Sequence, residues 1–126
     1  MFDKIDLFNL AGAAARHASA RQQVIAGNVA NADTPGYVAR DLKPFDASFE
    51  PGDQGMRRTR SGHLGSENGG LTLTAEVERS AMSPNGNAVS LEDQMVRSVD
   101  AKREHDLALS IYRSSLGILR SSLGRR

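Results

Sequence analysis

The chain has no cysteine and no tryptophan among its 126 residues. The first absence excludes a disulfide framework and any zinc site built on thiolates. Large apolar residues are scarce: Leu, Ile, Val and Phe total 27, about a fifth of the chain, and aromatic residues make up 5%. That is close to the composition at which a chain no longer buries enough apolar surface to fold alone. No run approaches the ~20 apolar residues of a membrane span. The opening Met1-Phe2-Asp3-Lys4-Ile5-Asp6 mixes both charges and lacks a long apolar stretch, which argues against a cleaved secretory signal. A net charge of +1 gives no strong excess of either sign, which weighs against disorder through self-repulsion and against a dedicated nucleic-acid surface. Lean apolar content with balanced charge predicts a chain that completes its core on neighbours.

Proline is missing from both flanks. All four prolines lie between residues 35 and 84, and eight of the twelve glycines lie between 36 and 86. The chain therefore divides into an N-terminal helix (1–34), an irregular middle with a short strand or hairpin (35–89) and a C-terminal helix (90–126). In the first flank, helix is expected from Lys4 to Ala32 with Asp3 as N-cap. Phe8, Ala11, Ala15, Ala18, Gln22, Ile25, Val29 and Ala32 alternate by three and four, a heptad seam rich in small residues. Gly12 and Gly27 each weaken this helix by up to ~1 kcal/mol relative to Ala, so its order depends on packing. In the last flank, Ser90-Leu91-Glu92-Asp93 resembles a capping box. Leu91, Met95, Ser98, Lys102, His105, Leu109, Tyr112, Leu116, Leu119 and Leu123 continue as a second seam. Acids concentrate before residue 107 and only arginines follow it, as the helix dipole favours. Such a helix would be roughly 50 Å long and needs a partner. The predicted fold is mainly α, with the two terminal helices pairing as an antiparallel coiled coil. In the middle, alternation over residues 71–77 predicts a strand after the Asn68-Gly69-Gly70 turn, and 46–70 is expected to be irregular.

One window stands out. Gln22 to Ala32 carries no charged residue, whereas a helix facing water shows charge on its outer side. Asn28 and Asn31 share a face, and buried amides cost stability but fix a packing register. The helix must then end, because Pro35 disfavours helical geometry at Thr34, and Thr34-Pro35-Gly36-Tyr37 fits a type II turn.

Asn28-Val29-Ala30-Asn31-Ala32-Asp33-Thr34-Pro35-Gly36-Tyr37 resembles the Asn-x-Ala-Asn-x-x-Thr-Pro-Gly-Tyr signature of the bacterial flagellar rod, hook and hook-associated axial proteins. The likeness continues through Val38-Ala39-Arg40-Asp41-Leu42 and Phe45, Thr59 with His63-Leu64, Asn85 to Met95, Tyr112 and Leu119-Arg120. It is strongest with the small proximal-rod members. The polar Ser121 to Arg126 departs from their pattern, and 46–70 matches weakly. The resemblance implies a structural, non-enzymatic subunit of the proximal rod, passing torque from the membrane ring towards the hook. The implied packing residues are Phe8, Ala11, Ala15, Ala18, Gln22, Ile25, Asn28, Val29, Asn31, Leu109, Tyr112, Leu116 and Leu119, with Thr34, Pro35, Gly36 and Tyr37 as the signature turn. Implied partners are copies of the chain, other rod subunits and the junction of membrane ring and export gate at the rod base, with neither nucleic acid nor direct lipid binding expected. The implied location is the periplasmic rod, reached through the flagellar type III apparatus without signal cleavage. Replacing Asn28 and Asn31 with Leu is expected to spare expression and abolish motility.

No chemistry competes with this. His105 sits between Glu104 and Asp106, but Lys102 and Leu109 occupy the helical positions where a second metal ligand would stand. His17 has Arg16 and Arg21 near it and is expected at the helix surface or seam. No nucleophile elbow, phosphate-binding glycine loop or carboxylate pair is present, so neither cofactor nor metal is expected. Arg57, Arg58 and Arg60 form a basic patch whose role the sequence leaves open. The alternatives are another small rod subunit, or a binding module using Arg120, Arg125 and Arg126 on nucleic acid or membrane.

Overall fold

The alanine-rich, proline-free N-terminal flank forms a single helix, α1 (Phe2–Ala30). In the computed structural model, residues 2–50, 60, 70–78 and 82–124 are described, with side chains of α1 from Asp6 onward. The helix starts at Phe2, so Asp3 lies inside it and not at its cap. At the other end the ladder tightens: the Asn31 N–H is shared between the Gly27 and Asn28 carbonyls, and Ala32 donates to Val29. The Tyr37 N–H then closes on the Thr34 carbonyl, with Gly36 at φ +73°. A type II turn needs that left-handed residue at its third position, and glycine supplies it without strain.

The C-terminal flank forms α3 (Leu91–Ser122), capped by Ser90, whose Oγ accepts the Asp93 N–H. The two helices run antiparallel. Asn28 meets Gln94, Gln22 meets Ser98, Arg21 meets Glu104 and Phe8 meets Tyr112. The mainly helical coiled-coil pair is thus as expected, but its closest line on α3 is not the leucine line. The buried residues of α3 are Gln94, Ala101, Ala108 and Ser115, spaced by seven, and facing α1 buries Ala11, Ala18 and Ile25. Leu109, Leu116 and Leu119 are half-buried on the flanks, while Leu91, Met95, Lys102 and Leu123 are exposed. The physical reason is size: small side chains let two backbones approach closely, and larger ones take the positions beside the contact line.

After the turn the chain runs back along α1 as β1 (Arg40–Leu42) and the one-turn α2 (Phe45–Ser48). The strand β2 (Ala75–Val77) pairs antiparallel with β1, Arg40 opposite Val77 and Leu42 opposite Ala75. Hydrogen bonds from Glu78 to Ala39, Lys43 to Thr74, Thr72 to Ser48 and Glu50 to Gly70 extend this pairing as an irregular hairpin. The strand expected over 71–77 is regular only at 75–77, with Leu71 in a single bridge to Phe49. Within the segment expected to be irregular, 46–48 belong to α2. Residues 51–59 and 61–69, including Arg57 and Arg58, lie outside the described residues, and Arg60 is exposed.

Among the described residues the buried apolar set is dominated by alanine: Ala11, Ala13, Ala18, Ala39, Ala88, Ala101 and Ala108, joined by Ile25, Leu42 and Leu71. Large apolar side chains are meanwhile left exposed on α3, at Val96, Val99, Leu107, Ile111 and Ile118, and at its C-cap Leu123. Burial of ~25 cal/mol per Å² of apolar surface stabilises an alanine core far less than a leucine core. No described helix is long and apolar enough to cross a membrane.

Candidate assembly site

The uncharged end of α1 is organised by one amide. Asn28 is fully buried. Its Nδ2 donates to the Arg40 carbonyl at 2.7 Å and to Gln94 Oε1 at 2.8 Å. Its Oδ1 accepts the Arg40 N–H at 3.1 Å and the Tyr37 hydroxyl at 3.4 Å. Asn28 therefore pairs with the Arg40 backbone as a neighbouring strand would, and its second N–H holds α3. Both donors and both lone pairs are satisfied, the condition under which a buried amide specifies one packing and does not merely cost energy. Asn31 is half-buried and works locally, donating to the Gly27 carbonyl and accepting from Thr34 Oγ1.

The turn is the dock for the segment that leads into α3. Buried Asn87 donates through Nδ2 to the Asn31 and Thr34 carbonyls at 3.1 and 2.7 Å, and its Oδ1 accepts the Val89 N–H. The Ala88 N–H reaches the Tyr37 carbonyl at 2.9 Å, and Val38 bridges Ala88 in parallel. Gly86, at φ +79°, brings its backbone so near the turn that a Cβ would stand 3.5 Å from Gly36 Cα. The signature turn and Asn85-Gly86-Asn87 are thus two halves of one junction. In the sequence they are separate motifs, and nothing in their spacing says that they touch.

Ion pairs fasten the hairpin to both helices. Asp41 accepts from Arg21 through both oxygens at 3.0 Å and from Arg97 at 2.6 Å. Arg97 also bonds Glu78, and Arg21 reaches Glu104 at 3.2 Å. Burial works to raise the Asp41 pKa, but the hydrogen bonds and charge of Arg21, with Arg97 and the Leu42 N–H, hold it below the ordinary carboxylate value. The Arg21 pKa is raised, chiefly by its hydrogen bond to Asp41 against the cost of burial. Sequence reasoning missed Asp41 as a hub; its only signal was the resemblance through Arg40-Asp41-Leu42. His17 was also misplaced. It is buried, bonds the Lys43 carbonyl at 2.7 Å and meets Phe45 edge-on at 5.6 Å. The reason is that α1 buries two faces: Ala11, Ala18 and Ile25 towards α3, and His17, Arg21 and Asn28 towards the returning strand.

The remaining seam residues are spread over different environments. Phe8 is half-buried and edge-on to the exposed Tyr112 at 5.0 Å, and Ala15 is half-buried. Gln22 is exposed yet bonds Ser98. Val29 is 40% exposed, and Thr34, Pro35 and Gly36 face solvent while Tyr37 is half-buried. Beside the helix contact lies an open groove of about 400 Å³, lined by Ala18, Ser19, Gln22, Gln23 and Ala26 of α1 with residues 101, 102 and 105 of α3. No cluster of metal-ligating residues occurs among the described residues.

An N-terminal helix closed by a signature turn and paired with a long C-terminal helix defines a class, the flagellar axial subunits. The family described as "Flagella basal body rod protein" matches residues 8–37. The flagellar basal body rod protein FlgB of Agrobacterium fabrum is 39% identical over 116 residues, covering 87% of each chain. FlgB of Salmonella typhimurium is 28% identical over 107 residues, covering 76% of this chain and 77% of its own. FlgB of Buchnera aphidicola is 25% identical over 124 residues, covering 92% and 93%. The chain belongs to the FlgB family of flagellar basal body rod proteins, structural subunits of the rod.

Proposed function

We propose that this chain builds the base of the rod wall and passes torque through lateral contacts between its helix pair and adjoining subunits. The observation that carries this is the pairing of a densely hydrogen-bonded polar junction with exposed apolar surface. Asn28, Asn87 and Asp41 fix the angle between α1, the hairpin and α3, so the subunit presents one shape. The large side chains on α3 and the uncharged face of α1 are left for neighbours. Long helices suit a shaft, because their backbone hydrogen bonds run along the axis and resist bending. In this reading Phe8, Leu109, Leu116 and Leu119 close the pair at its outer end, Val29 contributes to lateral packing, and the neighbours are copies of the chain, other rod subunits and the ring junction at the rod base. The chain reaches the rod through the flagellum's own export apparatus.

Imaging of basal bodies isolated from cells carrying an epitope-labelled chain tests this. Label confined to the lower rod, and loss of rods and swimming on deletion of the chain, are expected. Complete rods in the deletion strain would overturn the proposal.

A further inference from the structure

Asn-Gly occurs twice in the chain, at 68–69 and 85–86, and the second pair lies in the junction between the signature turn and the segment leading into α3. An asparagine followed by glycine is open to attack by its own chain. The next backbone nitrogen reaches the side-chain carbonyl carbon in a five-membered ring, and no Cβ on the next residue stands in the way. The other described asparagines lack this combination. Asn9 lies inside α1 and precedes Leu10, while Asn28, Asn31 and Asn87 are buried or half-buried and precede Val29, Ala32 and Ala88. Asn85 is exposed, sits in the turn that the Gly86 N–H closes on the Ser83 carbonyl at 2.8 Å, and precedes Gly86. Its Oδ1 accepts the Asn87 N–H at 3.0 Å. That donor stands where negative charge collects when the carbonyl carbon is attacked, so it stabilises the tetrahedral intermediate. Asn85 Nδ2, the group that leaves, has no hydrogen bond among the described residues. The bond to Ser83 is the brake, because the Gly86 N–H must open before it loses its proton. A single turn bond among exposed residues opens at low free-energy cost.

We propose that Asn85 deamidates spontaneously, with water as co-reactant, and that the isoaspartyl product unfastens the segment leading into α3 from the signature turn. The Gly86 nitrogen gives its proton to solvent and bonds Asn85 Cγ. The Cγ–Nδ2 bond breaks, and Nδ2 takes a proton from water and leaves as ammonia. The resulting succinimide adds one water. Opening at Cγ restores the ordinary backbone with an aspartate side chain. Opening at the main-chain carbonyl of residue 85 routes the chain through Cγ and lengthens it by one carbon. Nothing is oxidised or reduced. The two products have opposite consequences. Aspartate keeps an oxygen for the Asn87 N–H, so the turn persists. The isoaspartyl form turns that oxygen into a main-chain carbonyl and displaces Gly86, where a Cβ would already stand 3.5 Å from Gly36 Cα. The next bonds along the chain then lose register: Asn87 to the Asn31 and Thr34 carbonyls, and Ala88 to the Tyr37 carbonyl.

Ageing the purified full-length chain in mildly alkaline buffer, folded and in parallel in urea, tests this. Peptide mass spectrometry reads amide-to-acid conversion at each asparagine, and enzymatic methylation of isoaspartate separates the two products. Conversion of Asn85 in the folded chain, with Asn9, Asn28, Asn31 and Asn87 unchanged, is expected. Amide hydrogen exchange at Ala88 should speed up in proportion to the isoaspartyl fraction, while Asn85→Asp should exchange as slowly as the unaged parent. Asn85→Gln, which cannot close a five-membered ring, should abolish both the conversion at that position and the faster exchange. An Asn85 that converts in urea but stays intact in the folded chain would overturn the site. Isoaspartate formation with Ala88 exchanging as slowly as before would overturn its consequence. So would a parent chain whose Ala88 already exchanges freely, since there is then no clasp to unfasten.

Discussion

Where Asn28 meets Gln94, the helix pair is held by polar groups that all find partners inside the chain. Where Phe8 meets Tyr112, one edge-on ring contact and a line of alanines hold the pair, and Leu107, Ile111 and Ile118 remain in water. The first end resembles the interior of a finished protein and the second resembles an unfinished interface. On the proposed reading, the difference teaches that the stability of this subunit and its assembly are carried by different residues. Hydrogen bonds lose little by being completed at home. Apolar area contributes only when something covers it.

Four substitutions would break or sharpen that division. The largest effect is expected at Asn28→Leu, which leaves the Arg40 N–H and carbonyl without their partner and Gln94 buried without its donor. A loss of about 3 kcal/mol or more, from several unsatisfied groups at 1–3 kcal/mol each, should appear in urea denaturation. This sharpens the sequence-based expectation for Asn28 and Asn31: lost motility on their replacement would come first from a weakened subunit. Asp41→Ala comes next, because it strands Arg21 and Arg97; roughly 2–3 kcal/mol is expected, between the values for exposed and buried pairs. The same residue predicts a pH dependence. The folded-state pKa of Asp41 is lowered, so its contribution is present above the unfolded value near 3.9 and is lost as pH falls through the folded value. Thermal melts of the parent chain should fall below about pH 4, and those of Asp41→Ala should lack that component of the slope. Asn87→Ala removes the donor shared by the Asn31 and Thr34 carbonyls; about 1–2 kcal/mol is expected in the same melts. Ile118→Ser is the smallest, at under about 0.5 kcal/mol for an exposed position. A large loss of stability there would show that the outer end is finished within the chain, and the comparison would fail.

Much of the fold was legible. The proline-free flanks, the Ser90 cap and the Thr34-Pro35-Gly36-Tyr37 turn follow from local chemistry, and the structure has helices 2–30 and 91–122 with a turn at Gly36. The α3 seam was half legible. Periodicity weights the largest apolar residues, so it traced Leu109 and Leu116, while the contact line runs one position away through Ala101, Ala108 and Ser115. β1 was not legible, since Arg40-Asp41-Leu42 has no strand alternation and owes its geometry to Asn28 on one side and β2 on the other. The role of Asp41 was hidden for the same reason: its two arginines lie 20 and 56 residues away.

By itself, then, the sequence determined what is local: where helices begin and stop, that residues 22–32 carry no charge, and that a glycine must turn the chain after Pro35. Those features arise from backbone sterics, capping and spacing within a few residues. Only the tertiary structure decided that Asn28 joins three segments, that Asn87 docks on the turn, and that small side chains form the closest seam while larger ones face outward. These depend on which distant groups are brought within hydrogen-bonding distance and on how near two helix axes can come, and neither quantity is encoded in the order of neighbouring residues.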